Sequence, residues 1–191
     1  MKEKIILIGG GGHCRSVIDV IELEDNYTIA GIIDKKELIG RDVLGYKVIG
    51  CDDDLQELHK KYKYAAVTIG QISSNIVKVK LFNMLKSIGY SLPVIISPLA
   101  YVSKHAFIDE GTVVMHQALI NSNAKVGKNC IVNSKVLIEH DCIIENNCHI
   151  STAAVINGGV KVKEGTFFGS NSTTKEYTEI SGFIKAGSLI K

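Results

Sequence analysis

The chain has 191 residues, a formal net charge of +2, 18 Gly, 2 Pro and no Trp. No basic block stands out, which excludes the electrostatic footprint of a nucleic-acid binder. The longest wholly apolar stretch near the start, Ile5 to Ile8, is too short for a secretory h-region or a membrane span, so the expected setting is the cytoplasm, without membrane insertion.

Residues 4–8 read as a buried strand, followed by a turn of four glycines, Gly9 to Gly12. A helix is expected from about His13 to Glu24, with Val17, Ile18 and Ile21 at helical spacing. Tyr27 to Ile33 reads as a second strand, closed by Asp34. Asp52 to Asp54 offer acidic N-caps for a short helix ending near Tyr62. A third strand is expected at Tyr64 to Ile69, then Gly70 and a helix over roughly Ser73 to Ile88 with Gly89 as C-cap. Leu92 to Ile96 is expected to complete this domain. Strands alternating with helices imply a parallel sheet covered on both faces, hence a Rossmann-like domain over residues 1–96. Ser97-Pro98 then leads into a second domain over 97–191.

That second domain is a run of fifteen six-residue units beginning at Val102. Aliphatic residues open them at Val102, Ile108, Val114, Ile120, Val126, Val132, Ile138, Ile144, Ile150, Ile156 and Val162; Phe168 follows, Thr174 interrupts, and Ile180 and Ala186 resume. Two residues before each opener sits a second, small phase that includes Ala118, Cys130, Cys142 and Cys148. The three cysteines read as small hydrophobes of the interior. Such a period is the signature of a solenoid. One unit makes a short flat strand and a corner, and three make a triangular coil. Five coils at strand spacing give a prism about 24 Å long. Gly127, Asn146, Asn157 and Gly169 are expected to ease the corners. Flat faces favour closure of three subunits around an axis, a homotrimer.

Several residues carry candidate chemistry. The turn Gly10, Gly11, Gly12 with His13 could hold a phosphate at the following helix N-terminus, or be a tight strand-to-helix turn with no ligand. As a dinucleotide fingerprint it lacks the third glycine, since Cys14 or Arg15 stands there. Asp34 ends the second strand, near the usual ribose-binding carboxylate position. Gln71 follows the third strand, at the sheet edge where open α/β sheets bind ligands, and is a substrate-contact candidate. His59, His105 and His116 have no partner at metal-ligand spacing and read as surface residues; no metal is expected.

The repeat, joined to a Rossmann-like domain that opens Ile6-Leu7-Ile8-Gly9-Gly10-Gly11-Gly12-His13, resembles the hexapeptide-repeat bacterial sugar acyltransferases. Among these are sialic-acid O-acetyltransferases and N-acetyltransferases of UDP-4-amino sugars. The resemblance covers the whole chain and implies a left-handed parallel β-helix, acetyl-CoA as acyl donor, a sugar or sugar nucleotide as acceptor bound through the N-terminal domain, and a trimer with the thioester between neighbouring helices. Ile138-Glu139-His140-Asp141-Cys142 is similar to the family's His-acid stretch, and His149-Ile150-Ser151 to its second His motif. By that likeness His140 is the general base, Asp141 the acid beside it, and His149 a contact to the acetyl donor. From the residues alone either Glu139 or Asp141 could orient the imidazole; the resemblance favours Asp141. His149 lies half a coil from His140, so the two are expected to meet across a subunit interface. Gly158, Gly159 and Gly169 lie about one coil further on and would let the extended CoA chain approach, Gly169 being also readable as a corner glycine.

The implied activity is N-acetylation of a UDP-4-amino-4,6-dideoxy sugar in bacterial glycan synthesis. O-acetylation of a nonulosonic acid and a non-catalytic trimeric scaffold are the alternatives. Relatives continue beyond the segment that resembles Ile184 to Ile190 with a further coil over the adenine end of CoA. This sequence stops at Lys191, so the expectation is either weaker CoA binding or a natural chain that runs on past this point.

Overall fold

The computed structural model describes residues 2–72 and 74–191. The chain divides into two compact units: Met1–Gly70 with Ile76–Pro93, and Gln71–Asn75 with Val94–Lys191. The first is a Rossmann-like α/β domain and the second a left-handed parallel β-helix. Among the described residues no helix is long and apolar enough to cross a membrane.

The α/β unit contains β1 (Glu3–Ile8), α1 (Gly12–Glu24), β2 (Tyr27–Ile33), β3 (Asp42–Val43), β4 (Tyr46–Gly50), α2 (Leu55–His59), β5 (Tyr64–Val67) and α3 (Ile76–Ile88). Its sheet runs β3-β4-β2-β1-β5, and only β3 pairs antiparallel. The central strand β1 buries Ile5, Ile6, Leu7 and Ile8 on both faces, as a continuous apolar run should. Helix α1 buries Cys14, Val17, Ile18 and Ile21, and Asp25 caps it in the left-handed region (φ 60°), its N–H bonded to the Ile21 carbonyl. The Tyr90 ring is buried against this core with its hydroxyl donating to the Leu55 carbonyl at 2.8 Å, and burial raises its pKa to about 12.

The strands β3 and β4 are not foreseen from the sequence: their short runs are broken by Leu44-Gly45, a turn in which both residues have positive φ. Helix α2 ends at His59 rather than near Tyr62, because Lys60 and Lys61 close it with shorter-range bonds to Glu57 and Leu58. The start expected for α3 at Ser73 lies outside the described residues; the helix runs from Ile76, and the Gly89 N–H does bond the Leu85 carbonyl.

In the second unit, paired two-residue rungs form three parallel sheets. Each opening residue from Val114 to Phe168 points inward and is at most 1 % exposed. Thr174 keeps the inward position, its Oγ1 accepting from the Asn157 N–H at 2.9 Å. Cys130, Cys142 and Cys148 fill the same core.

Three expectations change. Ile95–Ile96 does not complete the α/β sheet; it pairs with Val113–Val114 as the first rung of the β-helix, one unit before Val102. The repeat is not unbroken to its end: Ile184 pairs with Phe168 sixteen residues earlier, where preceding rungs use eighteen, so Ile184 and Ile190 take the inward phase and Ala186 is exposed. The bends do not sit at Gly127, Asn146, Asn157 or Gly169. From Ile108 to Thr174 they fall three residues after each inward residue, at Gly111, Gln117, Asn123, Asn129, Lys135, Asp141, Asn147, Ala153, Gly159, Gly165, Asn171 and Tyr177, all with positive φ. Gly, Asn and Asp accept that conformation most readily. Gly127 and Gly169 are small for another reason: a Cβ at either would lie 2.5 Å from Asn146 Oδ1 or 2.4 Å from the Ala186 nitrogen, because adjacent coils approach closely there.

Candidate active site

The bend at Asp141 creates the site. Ile138 is buried in the β-helix core and Asp141 adopts φ 61°, so the chain turns sharply and leaves His140 and Asp141 both about half exposed on the corner. The His140 Nδ1 lies 2.8 Å from Asp141 Oδ2. An ionised carboxylate only accepts, so Nδ1 carries the proton and the lone pair of the neutral ring sits on Nε2.

Glu139 makes no hydrogen bond to the His140 ring. Its carboxylate accepts from Asn121 Nδ2 at 2.8 Å and reaches His140 only through the His140 backbone N–H, at 3.4 Å. The other Asp141 oxygen, Oδ1, accepts from Asn123 Nδ2 at 2.7 Å. This bond first, and the His140 contact second, hold the Asp141 carboxyl below its ordinary range. In turn the hydrogen bond to Asp141, with smaller attraction from the Asp141 and Glu139 charges, holds His140 above the ordinary 6.5 against a lowering by desolvation.

Gly158 lies beside this ring. A Cβ there would stand 2.9 Å from both His140 Cε1 and Nε2. Gly159, at the next bend (φ 68°), has its Cβ position 2.3 Å from the Tyr177 ring. Gly158, Gly159 and Gly169 thus each have an explanation within this chain: two accommodate aromatic rings, and the third a neighbouring coil.

His149 sits elsewhere on the β-helix, on the rung His149–Ile150, and is only 6 % exposed. Its Nδ1 donates to the Gln71 backbone carbonyl at 2.5 Å, and its Nε2 is 3.3 Å from Asn133 Nδ2. The ring meets Phe167 edge-on with centroids 5.2 Å apart, and Phe167 stacks on Phe183. Within one subunit the ring is therefore buried and engaged at both nitrogens, apart from the exposed His140 corner. Gln71 is also displaced from its expected place: it is 2 % exposed on the β-helix, its Nε2 donating to the Gly165 carbonyl at 3.3 Å and its Oε1 buried with no hydrogen-bond partner. His116 is tied to Ser97 Oγ at 2.6 Å, and His59 rests on the Tyr90 ring.

The α/β unit holds a cavity of about 450 Å³ at the C-terminal ends of β1 and β2, lined among others by Gly9, Asp34, Lys35, Cys51, Asp52 and Ile69. Asp34 lines it but is already engaged, accepting from the Gly10 N–H at 2.7 Å and the Lys35 N–H at 2.8 Å. Gly9 (φ 99°) and Gly10 are needed for packing, since a Cβ on them would lie 2.5 Å from Ile69 and 3.1 Å from Asp34. Gly11 and Gly12 have nothing within 4 Å of that position. No side chain caps α1 and no acidic residue sits in its first turn, where His13 lies. The first N–H groups of a helix have no acceptor within it, and such a start is of the kind that binds anions. Among the described residues no group of three or more His, Cys, Asp or Glu could hold a metal ion.

Reading residue by residue misses Asn123, Asn133 and Tyr177. The signal for Asn123 is present: it precedes Asp141 by one coil of eighteen residues, the spacing at which side chains stack.

Comparison with known proteins bears on the whole chain. Residues 4–85 match the family model described as the PglD N-terminal domain, and residues 95–181 match the GlmU-like C-terminal hexapeptide model. Among solved structures, a variant of perosamine N-acetyltransferase from Caulobacter crescentus, in complex with CoA and GDP-perosamine, is 29 % identical with a TM-score of 0.91, covering 98 % of this chain and 88 % of that one. The acetyltransferase domain of PglB from Neisseria gonorrhoeae is 26 % identical with a TM-score of 0.91, covering 100 % and 92 %. The same domain in complex with acetyl coenzyme A is 26 % identical with a TM-score of 0.88, covering 100 % and 93 %. Among curated proteins nothing matches.

Proposed function

Because the chain belongs to the hexapeptide-repeat bacterial sugar acyltransferases, we propose that it is an acetyl-CoA-dependent N-acetyltransferase of a nucleotide-linked amino sugar. The acceptor implied by the sequence resemblance is a UDP-4-amino-4,6-dideoxy sugar of glycan biosynthesis, and GDP-perosamine is the sugar nucleotide in complex with one relative. The carrying observation is the exposed His140–Asp141 pair, with the proton fixed on Nδ1 and the basic Nε2 beside Gly158.

In this reading His140 Nε2 takes a proton from the acceptor amine as the amine nitrogen attacks the thioester carbonyl carbon. The C–N bond forms, the C–S bond breaks, and the proton passes on to the departing thiolate. Asp141 holds the ring tautomer and stabilises the imidazolium between these events. His149, with both ring nitrogens engaged, acts by position on the acetyl-donor side and not by proton transfer. Gly158, Gly159 and Gly169 shape the donor side through the close fits described above. In the α/β unit the cavity at Asp34 takes the nucleotide, and the open backbone at Gly11, Gly12 and His13 takes its phosphates.

The homotrimer belongs to the same reading. One face of the β-helix stacks Tyr101, Leu119, Leu137, Val155, Thr173 and Leu189 as its outward residues, all but Thr173 apolar or aromatic, and Tyr101 and Leu189 are more than 60 % exposed. A closed trimer would bury this apolar face, and the His140 corner lies at its edge, directly after the rung Leu137–Ile138.

The test is release of CoA thiol from acetyl-CoA with UDP- and GDP-linked amino sugars, for the native chain and His140→Ala. Loss of a positioned base is expected to lower turnover by about 100-fold or more with little change in thermal stability. Equal turnover in the two proteins would overturn the base assignment. Binding of acetyl-CoA without either sugar nucleotide would move the acceptor to a nonulosonic acid.

A further inference from the structure

The β-helix arranges a relay that the two-residue motif does not contain. Asn123 and Asp141 occupy equivalent bends of successive coils, with φ 59° and 61°. In each case the backbone N–H is bonded to the coil before, Asn123 N to the His105 carbonyl and Asp141 N to the Ser122 carbonyl. Both backbones are therefore fixed before their side chains are considered. The Asn123 amide then donates to Asp141 Oδ1 at 2.7 Å, which leaves Oδ2 for His140 Nδ1 at 2.8 Å. Aspartate has one fewer methylene than glutamate and pivots close to the backbone. A donor on Oδ1 is what sets the rotation of its carboxylate plane and hence the aim of Oδ2.

We infer that Asn123 is a positioning residue of the transfer reaction, acting through Asp141 to hold the His140 tautomer and orientation. This rests on the acetyltransferase reading above. The electrostatics run the same way: the Asn123 bond is the first cause of the lowered Asp141 pKa, and the Asp141 bond the first cause of the raised His140 pKa. The ionisable groups facing His140 are Asp141 and Glu139 from its own bend, and Glu139 has its own amide partner in Asn121. The adjoining coil offers Gly158 and Gly159, with Tyr177 over the latter.

The substitution Asn123→Gly tests this, because glycine keeps the left-handed bend and removes only the amide. Asn129→Gly is the matched control: Asn129 is another bend residue (φ 53°) whose Nδ2 donates at 2.8 Å to the residue one coil on, Asn147. Two readouts are used on the full chain: the imidazole titration of His140 by NMR without substrates, and steady-state turnover against pH. Asn123→Gly is expected to move the His140 midpoint down towards 6.5 and to lower kcat by about tenfold, as for a lost hydrogen bond to a charged group, with both KM values unchanged. Asn129→Gly is expected to leave midpoint and kcat alone while costing comparable thermal stability.

An unmoved His140 midpoint in Asn123→Gly, or an equal kcat loss in the control, would overturn the inference. The titration needs no turnover, so failure of the acetyltransferase reading shows separately, as a native chain that releases no CoA thiol.

Discussion

The two units use glycine in opposite ways. In the α/β unit four glycines stand together once, at the end of β1, and two of them are required by packing: Gly9 turns with φ 99° against Ile69, and Gly10 lies against Asp34. In the β-helix the bend recurs every six residues from Gly111 to Tyr177, and most of these bends are not glycine at all but Asn, Asp, Lys, Gln, Ala or Tyr. A left-handed residue other than glycine costs about 1–2 kcal/mol, and the ladder of parallel bonds between coils offsets it. The β-helix glycines without positive φ, Gly127, Gly158 and Gly169, mark places where a side chain would strike something, whereas at the β1–α1 turn Gly11 and Gly12 strike nothing. The first kind positions a group of the chain itself, and the second leaves room for a group from outside.

Substitutions to alanine sharpen this contrast. The largest effect is expected at Gly9→Ala, where positive φ and a 2.5 Å approach to Ile69 Cγ1 combine. A loss of about 3 kcal/mol is expected in denaturant unfolding followed in the α/β unit; a change below ~1 kcal/mol would mean that Ile69 yields freely. Next is Gly158→Ala. Its methyl group must displace the His140 ring, so kcat should fall about tenfold or more through misplacement of the base, with Tm little changed. Activity close to native would show that the ring is free to swing aside. The smallest structural effect is expected at Gly12→Ala: stability within about 0.5 kcal/mol of native, but severalfold weaker binding of the nucleotide by calorimetry. Unchanged affinity would place the phosphates away from this turn.

The legible parts of the fold are those governed by a period. The apolar run of β1 and the six-residue repeat from Val102 to Ile180 are readable directly, because one repeated contact decides every rung. The strands β3 and β4 are not, since two- and five-residue segments around Leu44-Gly45 carry too short a pattern. Ile95–Ile96 reads as part of the α/β sheet because an aliphatic pair fits either sheet until its partner is known, and Val113–Val114 claims it. The two-residue contraction before Ile184 escapes notice because Ala186 is apolar and keeps the arithmetic of the repeat while Ile184 takes the position. At the site, the order His140-Asp141 is visible, but the choice between Glu139 and Asp141 needs the bend geometry. The surroundings of His149 and Gln71 cannot be read locally, since a contact spanning 78 residues leaves no local mark.

The eighteen-residue spacing from Asn123 to Asp141 also sets a rule for how such a solenoid can lengthen over evolutionary time. Three successive coils meet at the corner: one brings Asn123, the next His140 and Asp141, and the third Gly158. A gene segment encoding one whole coil could be duplicated ahead of Asn121 and leave all of these neighbours in place. A coil inserted after Val126 would stand directly beneath Asp141, and would keep the amide donor only if it carried an asparagine of its own at that bend. A coil inserted after Ile144 would likewise need a glycine where Gly158 now stands. Length is thus free to vary outside the corner, while within it each added coil must bring the residue it displaces.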